Sequence, residues 1–401
     1  MIETFAPELR LIIALCRYPQ DAASSHLAAA IAVEPIDWAT FEALVERHRV
    51  AGIVSSNIRH AGDCVPVALR ERLAATARRN AAADLRFAAE TARLQDIFDA
   101  AGFPVLFLKG VTVGMLAYGR LGLKQSWDID LLTSPESMIP GLRLLESEGY
   151  RLVPPFDMPE RTLLRFARFT HELILANTAG VAVELHWRML RPHILADADP
   201  FSGTQMVSVA GREVRTLRDE LLFAFLVSHG QGHGWSRIKW LADLAALLAK
   251  RDVADIERLY GAAQALGTGR SASAALLLCA DLMGLALSPE LRRRCEADPA
   301  VRQLLKADLA CIAHPVTELR PFSRPYLALA WSGLRREPGF RSFLTELGSR
   351  WTAPLSRAKF PSWLDFAWHG LRLPLWLVRQ GRGIIGQYLG GRSTRSGSRQ
   401  R

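Results

Sequence analysis

Residues 38–58, WATFEALVERHRVAGIVSSNI, repeat apolar positions at three- and four-residue steps, the period of an amphipathic helix. Residues 67–100 keep helical character through an Ala-, Arg- and Leu-rich stretch that predicts one long helix, and Gly102 stands just past its end as a stop. The pattern then changes. FPVLFLKG (103–110) is a short apolar run with β-branched and aromatic content, which predicts a buried strand. VTVGMLAYG (111–119) predicts a short helix and DIDLLT (128–133) a second strand. Ser134 and Pro135 then predict the N-cap and first position of another helix. HELILANTAGVAVELHWRM (171–189) predicts two strands joined by a turn around Asn177 to Gly180. From about residue 215 the helical period returns in RDELLFAFLVSHG, SRIKWLADLAALLAK and SASAALLLCADLMGLAL. The expected fold class is α+β, with a small mixed sheet between N-terminal helices and a C-terminal helical domain. The strand-bearing stretch runs from about residue 101 to 190.

Composition narrows the partners. The chain has 401 residues, 49% hydrophobic and 22% charged, the balance of a globular protein with room for two or three domains. Its net charge is +10, which suits a polyanion: nucleotide phosphates, nucleic acid or an anionic membrane surface. The five cysteines are scattered, odd in number and without a C-x-x-C pair, so neither a disulfide framework nor a zinc knuckle is expected, and a reducing cytoplasm fits. The opening MIETFAPELRLIIALCRYPQ has acids before its apolar run and no basic stretch, so no signal peptide is expected. No uninterrupted apolar run reaches the roughly 18 residues that span a bilayer. FPSWLDFAWHGLRLPLWLVRQGRGIIGQYL (360–389) mixes Trp, Leu and Arg; packing on the helical domain is the default reading, and peripheral membrane contact is the alternative. The Gly-, Ser- and Arg-rich end predicts a disordered tail.

The candidate chemistry sits in the strands. Side chains alternate across a strand, so Trp127, Ile129 and Leu131 are expected to face a core while Asp128 and Asp130 point together to the other side. Two carboxylates that close repel and call for a cation between them. Oxygen ligands favour Mg²⁺, with Mn²⁺ the alternative. In VAVELHWRM, Glu184 and His186 share the face opposite Val183, Leu185 and Trp187. If that strand adjoins the first, Glu184 becomes a third carboxylate and His186 orients it. Lys109 and Gly110 stand at a strand-to-helix turn, where a backbone can approach a phosphate and the helix N-terminus and the ammonium can meet it. In HGQGHGW (229–235), His229 and His233 stand four apart, but Gly230, Gly232 and Gly234 argue against a continuous helix and no Glu follows the first His, so a zinc protease is rejected. Both histidines are candidate supporting residues at a helix end. Lys239 and Asp243, at i and i+4, predict an ion pair, and Tyr118 is expected to pack rather than to stack on a base.

The ordered set Leu108-Lys109-Gly110, Tyr118, Asp128-Ile129-Asp130-Leu131-Leu132, Glu184-Leu185-His186-Trp187, then His229-Gly230, His233-Gly234-Trp235, Trp240 and Asp243 resembles the bacterial uncharacterised nucleotidyltransferases (NTP-transferase-5 type) of the polymerase-beta-like nucleotidyltransferase superfamily. The resemblance spans roughly residues 40 to 250; the ordered set is specific where each motif alone is weak. The superfamily's Gly-Ser at the nucleotide turn is Lys109-Gly110 here, a change the closer family shares. Its Arg before the aspartates is Lys124 here, which gives up a bidentate grip on phosphate. The resemblance implies a Mg²⁺-dependent nucleotidyltransferase core in residues 101–215, flanked by a helical region in 1–100, a helical domain in 216–350 and an aromatic and basic segment in 351–401. It implies transfer of a nucleotidyl group, AMP from ATP or another NTP, to an acceptor hydroxyl on a small molecule, natural product or protein. Asp128, Asp130 and Glu184 would be catalytic and metal-binding; Lys109, Gly110, Lys124 and Ser126 would hold the nucleotide. The acceptor itself is unread. Nucleic acid is not expected, since no basic patch interleaved with aromatics is present. The alternatives are a non-catalytic nucleotide-binding or scaffold protein that kept the fold, and a kinase on the same core.

Overall fold

Helices occupy both flanks of the sequence, as their apolar period dictates, and strands the middle. A computed structural model of the chain describes residues 2–191, 193–314, 323–337, 339–352, 357–360, 367 and 370. Before the sheet come α1 (Pro7–Leu15), α2 (Ala22–Ala32), α3 (Trp38–His48), α4 (Ala51–Asn57) and the long α5 (Val67–Ala100). Three cross-strand helices follow: α6 (Val111–Tyr118), α7 (Met138–Ser147) and α8 (Glu160–Ala167). After the sheet come α9 (Asp219–Gly232), α10 (Ile238–Leu248), α11 (Val253–Ala265), α12 (Gly269–Met283), α13 (Pro289–Glu296), α14 (Pro299–Ala313), α15 (Arg324–Gly333) and α16 (Phe340–Thr352). The protein is α+β, and no described helix is long and apolar enough to cross a membrane.

The strands are β1 (Leu106–Phe107), β2 (Ile129–Leu132), β3 (Arg151–Leu152), β4 (Glu172–Ala176), β5 (Ala182–His186), β6 (Thr204–Val209) and β7 (Arg212–Leu217). The first five form one mixed sheet in the order β1-β2-β5-β4-β3. β2 runs parallel to β5 and antiparallel to β1, and β4 and β5 are the expected hairpin. Ile129, Leu131, Leu173, Leu175, Val183 and Leu185 alternate onto one face and are buried there, which fixes the register because a one-residue slip would expose them all.

Residues 1–157 with 171–346 form one compact unit that holds the whole sheet. A second unit is formed by residues 158–170 with 347–401. In it, α8 buries Leu163 and Phe166, Arg165 donates to the Phe360 carbonyl, and the Arg357 guanidinium lies 4.3 Å from the Phe169 ring centre. Most of the aromatic and basic segment 351–401, including the stretch with a membrane-surface reading and the expected disordered tail, lies outside the described residues.

Three local expectations change. The helix after β2 starts at Met138 behind Ser137, while Ser134 caps a preceding turn by accepting from the Ser137 N–H at 3.2 Å. The strand-bearing stretch does not stop near residue 190, since β6 and β7 make a second, two-stranded sheet. Their turn is Ala210-Gly211, both left-handed (φ 52 and 78), the backbone a two-residue hairpin needs. Finally, α9 continues through His229 and Gly230 to Gly232. Gly230 stands there because the Trp235 ring packs onto it: a Cβ would lie 2.3 Å from the indole.

Candidate active site

The register of β2 and β5 pairs Asp130 with Glu184 directly across two parallel strands, so their side chains leave the same face. β4 adds Glu172 opposite His186 on that face, and His171 precedes Glu172. Asp130 is completely buried, and neither of its oxygens accepts an aligned hydrogen bond. Lys109, on the turn after β1, reaches into this group. Its Nζ makes an ion pair with Asp130 Oδ1 and lies 3.5 Å from Glu184 Oε2. Burial opposes the ammonium charge, but Asp130, Asp128 and Glu184 outweigh it and hold Lys109 above its ordinary pKa. His186 Nε2 lies 3.4 Å from Asp130 Oδ1 and 3.6 Å from Glu184 Oε2. Burial works against its charge as well, and Asp130 and Glu184 raise it to about 10. Burial would raise the Glu184 carboxyl; His186 and Lys109 hold it below the usual range.

The loop that delivers Asp128 is threaded tightly. A Cβ on Gly52 of α4 would come 2.2 Å from the Gly122 carbonyl, so only glycine lets α4 approach. Asp84 of α5 accepts from the Ser126 N–H at 2.9 Å. Lys124 Nζ lies 2.5 Å from Asp243 Oδ2 in α10, and Tyr118 donates to the other Asp243 oxygen at 3.0 Å. Asp243 therefore pairs with Lys124, not with Lys239 as the helical spacing suggests. Lys239 Nζ instead donates to the Gln125 carbonyl at 3.3 Å. Burial, then Lys124, push Lys239 well below its ordinary value. Tyr118 packs as expected, buried edge-on against Tyr18 with ring centres 5.0 Å apart. Trp127 does not enter the core. It is 52% exposed, because β2 begins only at Ile129, and the Arg49 guanidinium stacks 4.0 Å from its ring centre.

Between this loop, the acidic face of β4 and β5, and helices α9 and α10 lies a cleft of 370 Å³. Lys109, Gly110, Lys124, Ser126, Asp128, Glu184, His186, His229 and His233 all line it, so the structure brings the sequence-selected residues to one place, with Asp130 beneath Lys109. Gly110 has φ 73 and begins α6, as the expected turn requires. Asp128 lines the cleft but stands outside the tight group: the ligand atoms that fall within 4.8 Å of one another belong to Asp130, Glu184 and His186. His229 and His233 pack with Trp240, their ring centres 5.4 and 5.0 Å from its own. Burial pushes His233 down to about 4 and His229 well below its ordinary value, so both are neutral at pH 7.

Sequence reasoning passed over the opposite wall. Arg49, Arg191, Arg237 and Lys239 face the cleft, as do His171 and Glu172. Arg49 ends α3 in a left-handed conformation (φ 57), and burial lowers its guanidinium to about 10, still charged at neutral pH. Nothing in the periodicity around these residues marks them, although HELIL did place His171 and Glu172 on a strand. The donor set fits a hard divalent cation: Asp130 offers a buried carboxylate without an aligned donor, and Glu184 stands beside it.

The mixed sheet thus presents a buried carboxylate group to a cleft that Arg49, Arg191, Arg237 and Lys239 also line. Residues 34–284, more than half of the chain, match the family described as uncharacterised nucleotidyltransferase, and the protein belongs to that family. Generic nucleotidyl transfer goes with that membership. No curated protein matches the sequence.

Proposed function

We propose that the protein is a Mg²⁺-dependent nucleotidyltransferase that moves AMP from ATP to an acceptor hydroxyl on a small molecule, natural product or protein. The observation that carries this reading is the alignment of Asp130 with Glu184 across β2 and β5 on the floor of a cleft whose other wall is basic. The order of Lys109-Gly110, the Asp130 strand with Asp128 just before it, and the Glu184 strand in one mixed sheet supports placement in the polymerase-beta-like superfamily. Asp130, Glu184 and Asp128 would hold the cation, which when bound stabilises charge on the triphosphate. The chain's own groups do the rest. Arg49 and Arg237 draw in and orient the phosphates. Glu184, below its usual pKa and so ionised, accepts the acceptor hydroxyl's proton as the oxygen attacks the α-phosphorus and pyrophosphate leaves. Lys109, held beside Asp130 and Glu184 at the turn before α6, would add a positive charge to the phosphate end of the cleft. Five free cysteines, four of them buried, support a reducing cytoplasmic setting.

The test follows label from α-³²P-ATP and γ-³²P-ATP into the components of a host lysate. Label from the α position alone is the expected result, and Asp130→Asn abolishes it while the far-ultraviolet circular dichroism stays unchanged. Label from the γ position would make the protein a kinase on this core. No transfer, with nucleotide binding unchanged in the variant, would make it a scaffold.

A further inference from the structure

We propose that His171, Glu172 and His186 form a binding site for one borderline transition-metal cation, Zn²⁺ in class, open to the cleft and beside the carboxylate group at Asp130 and Glu184, with His186 standing between the two. The inference does not depend on nucleotidyl transfer. Glu172 opens β4 and His186 closes β5, and the two are register partners. His171 is tied to the same strand end, because its carbonyl accepts from the Trp187 N–H at 3.0 Å. Three potential ligands are thus held by a sheet, not by a loop.

Their spacing is that of a coordination shell. Glu172 Oε2 lies 3.4 Å from His171 Nε2 and 3.5 Å from His186 Nε2. Ligands about 2.1 Å from a tetrahedral metal stand about 3.4 Å from one another. All three ligand atoms fall within 4.8 Å of each other. All three side chains line the 370 Å³ cleft, which leaves the remaining coordination positions to solvent or substrate.

A second observation points to a ligand. His186 is 3% exposed; its Nε2 faces Asp130, Glu172 and Glu184 at 3.4, 3.5 and 3.6 Å without an aligned hydrogen bond to any of them, and His171 Nδ1 is buried without a hydrogen bond. Buried polar atoms in folded proteins are nearly always satisfied, and a cation on Nε2, in place of the ring proton, satisfies one of them. The neighbouring carboxylates are in a different condition, since Lys109 already makes an ion pair with Asp130. Among the described residues no Lys or Arg makes an ion pair with Glu172; its partners are the two imidazoles. Two imidazoles and one carboxylate select borderline transition metals, whereas Mg²⁺ selects oxygen.

The experiment titrates Co²⁺ into the untagged full chain and reads the visible d–d absorption, with Zn²⁺ as competitor and calorimetry of Zn²⁺ and Mg²⁺ alongside. One Co²⁺ per chain, with an absorption that Zn²⁺ abolishes and a large excess of Mg²⁺ does not, is expected. His171→Ala and the near-isosteric Glu172→Gln should each weaken Zn²⁺ binding by about 10–100-fold. Asp96→Asn, at an exposed carboxylate outside the cleft, should leave it unchanged. No Co²⁺ absorption, or Mg²⁺ competing as well as Zn²⁺, would overturn the proposal. So would binding that survives both substitutions and disappears in His233→Ala, which would place the metal at the other histidine pair.

Discussion

Replacing Lys109 with Met tests the electrostatics of the carboxylate floor directly. The Lys109 side chain is 19% exposed, that of Asp130 fully buried and that of Glu184 20% exposed, so solvent screens the group poorly. At 3.5 Å and an effective dielectric constant of about 20, the attraction to Glu184 alone is roughly 5 kcal/mol, and Asp130 is nearer. Desolvating the ammonium offsets much of this, but removing one partner leaves a buried carboxylate facing only His186. The expected loss is about 3–5 kcal/mol, as for other buried pairs broken on one side. The melting temperature should fall by about 4–6 °C, since the unfolding entropy of a chain this long is large. Methionine keeps the length of the lysine stem, so packing is largely retained. The diagnostic part is the response to Mg²⁺. Where Lys109 occupies the carboxylates, Mg²⁺ must displace it; in Lys109→Met the place is open, and saturating Mg²⁺ should restore most of the lost stability while shifting the parent far less. Differential scanning fluorimetry with a Mg²⁺ series measures both. A variant as stable as the parent, or one that Mg²⁺ stabilises no more than the parent, would refute the reasoning.

Other parts of the cleft give sharper single readouts. Burial, against hydrogen bonds from Ser126 and the nearby Lys124, raises Asp84 from 3.8 to about 6. The folded state therefore holds that proton more tightly, and its contribution is present below about pH 4 and lost as pH rises through about 6; relative to Asp84→Asn, the parent should lose up to ~3 kcal/mol between pH 4 and 7, and parallel urea-midpoint profiles would refute this. Asp243→Ala strands the buried Lys124 ammonium and the Tyr118 hydroxyl, and should lower unfolding free energy by about 3–5 kcal/mol in a denaturant titration. Gly230→Ala forces a methyl into the fully buried Trp235 ring and should lower it by about 3 kcal/mol, with a changed tryptophan emission.

Much of the fold was legible because period and punctuation are local. α5, the Lys109-Gly110 turn, α6 and the β4–β5 hairpin follow from apolar spacing and a few glycines. The β6–β7 hairpin was equally legible in TQMVSV-AG-REVRTL and was passed over; alternation and a two-residue turn were its signals. Trp127 misled because alternation was extended two residues before the strand begins. Asp128, Asp130, Glu184 and His186 could be named from the sequence because strand parity alone puts charges on one face of an otherwise apolar run.

What the chain determined by itself, then, is the list of carboxylates and the faces from which they project. Which charges meet them is a matter of three dimensions. Lys124 and Asp243 are 119 residues apart, and Lys109 and Glu184 are 75 apart. No short-range pattern couples such positions. Only the packing of α10 on α6 and α9 brings Arg237 and Lys239 opposite the acids, and only the β4–β5 register turns His171, Glu172 and His186 into a set of possible ligands. Backbone periodicity is written in neighbours three or four residues away, while an electrostatic site is written in distances of a few ångströms between groups that the chain brings together last.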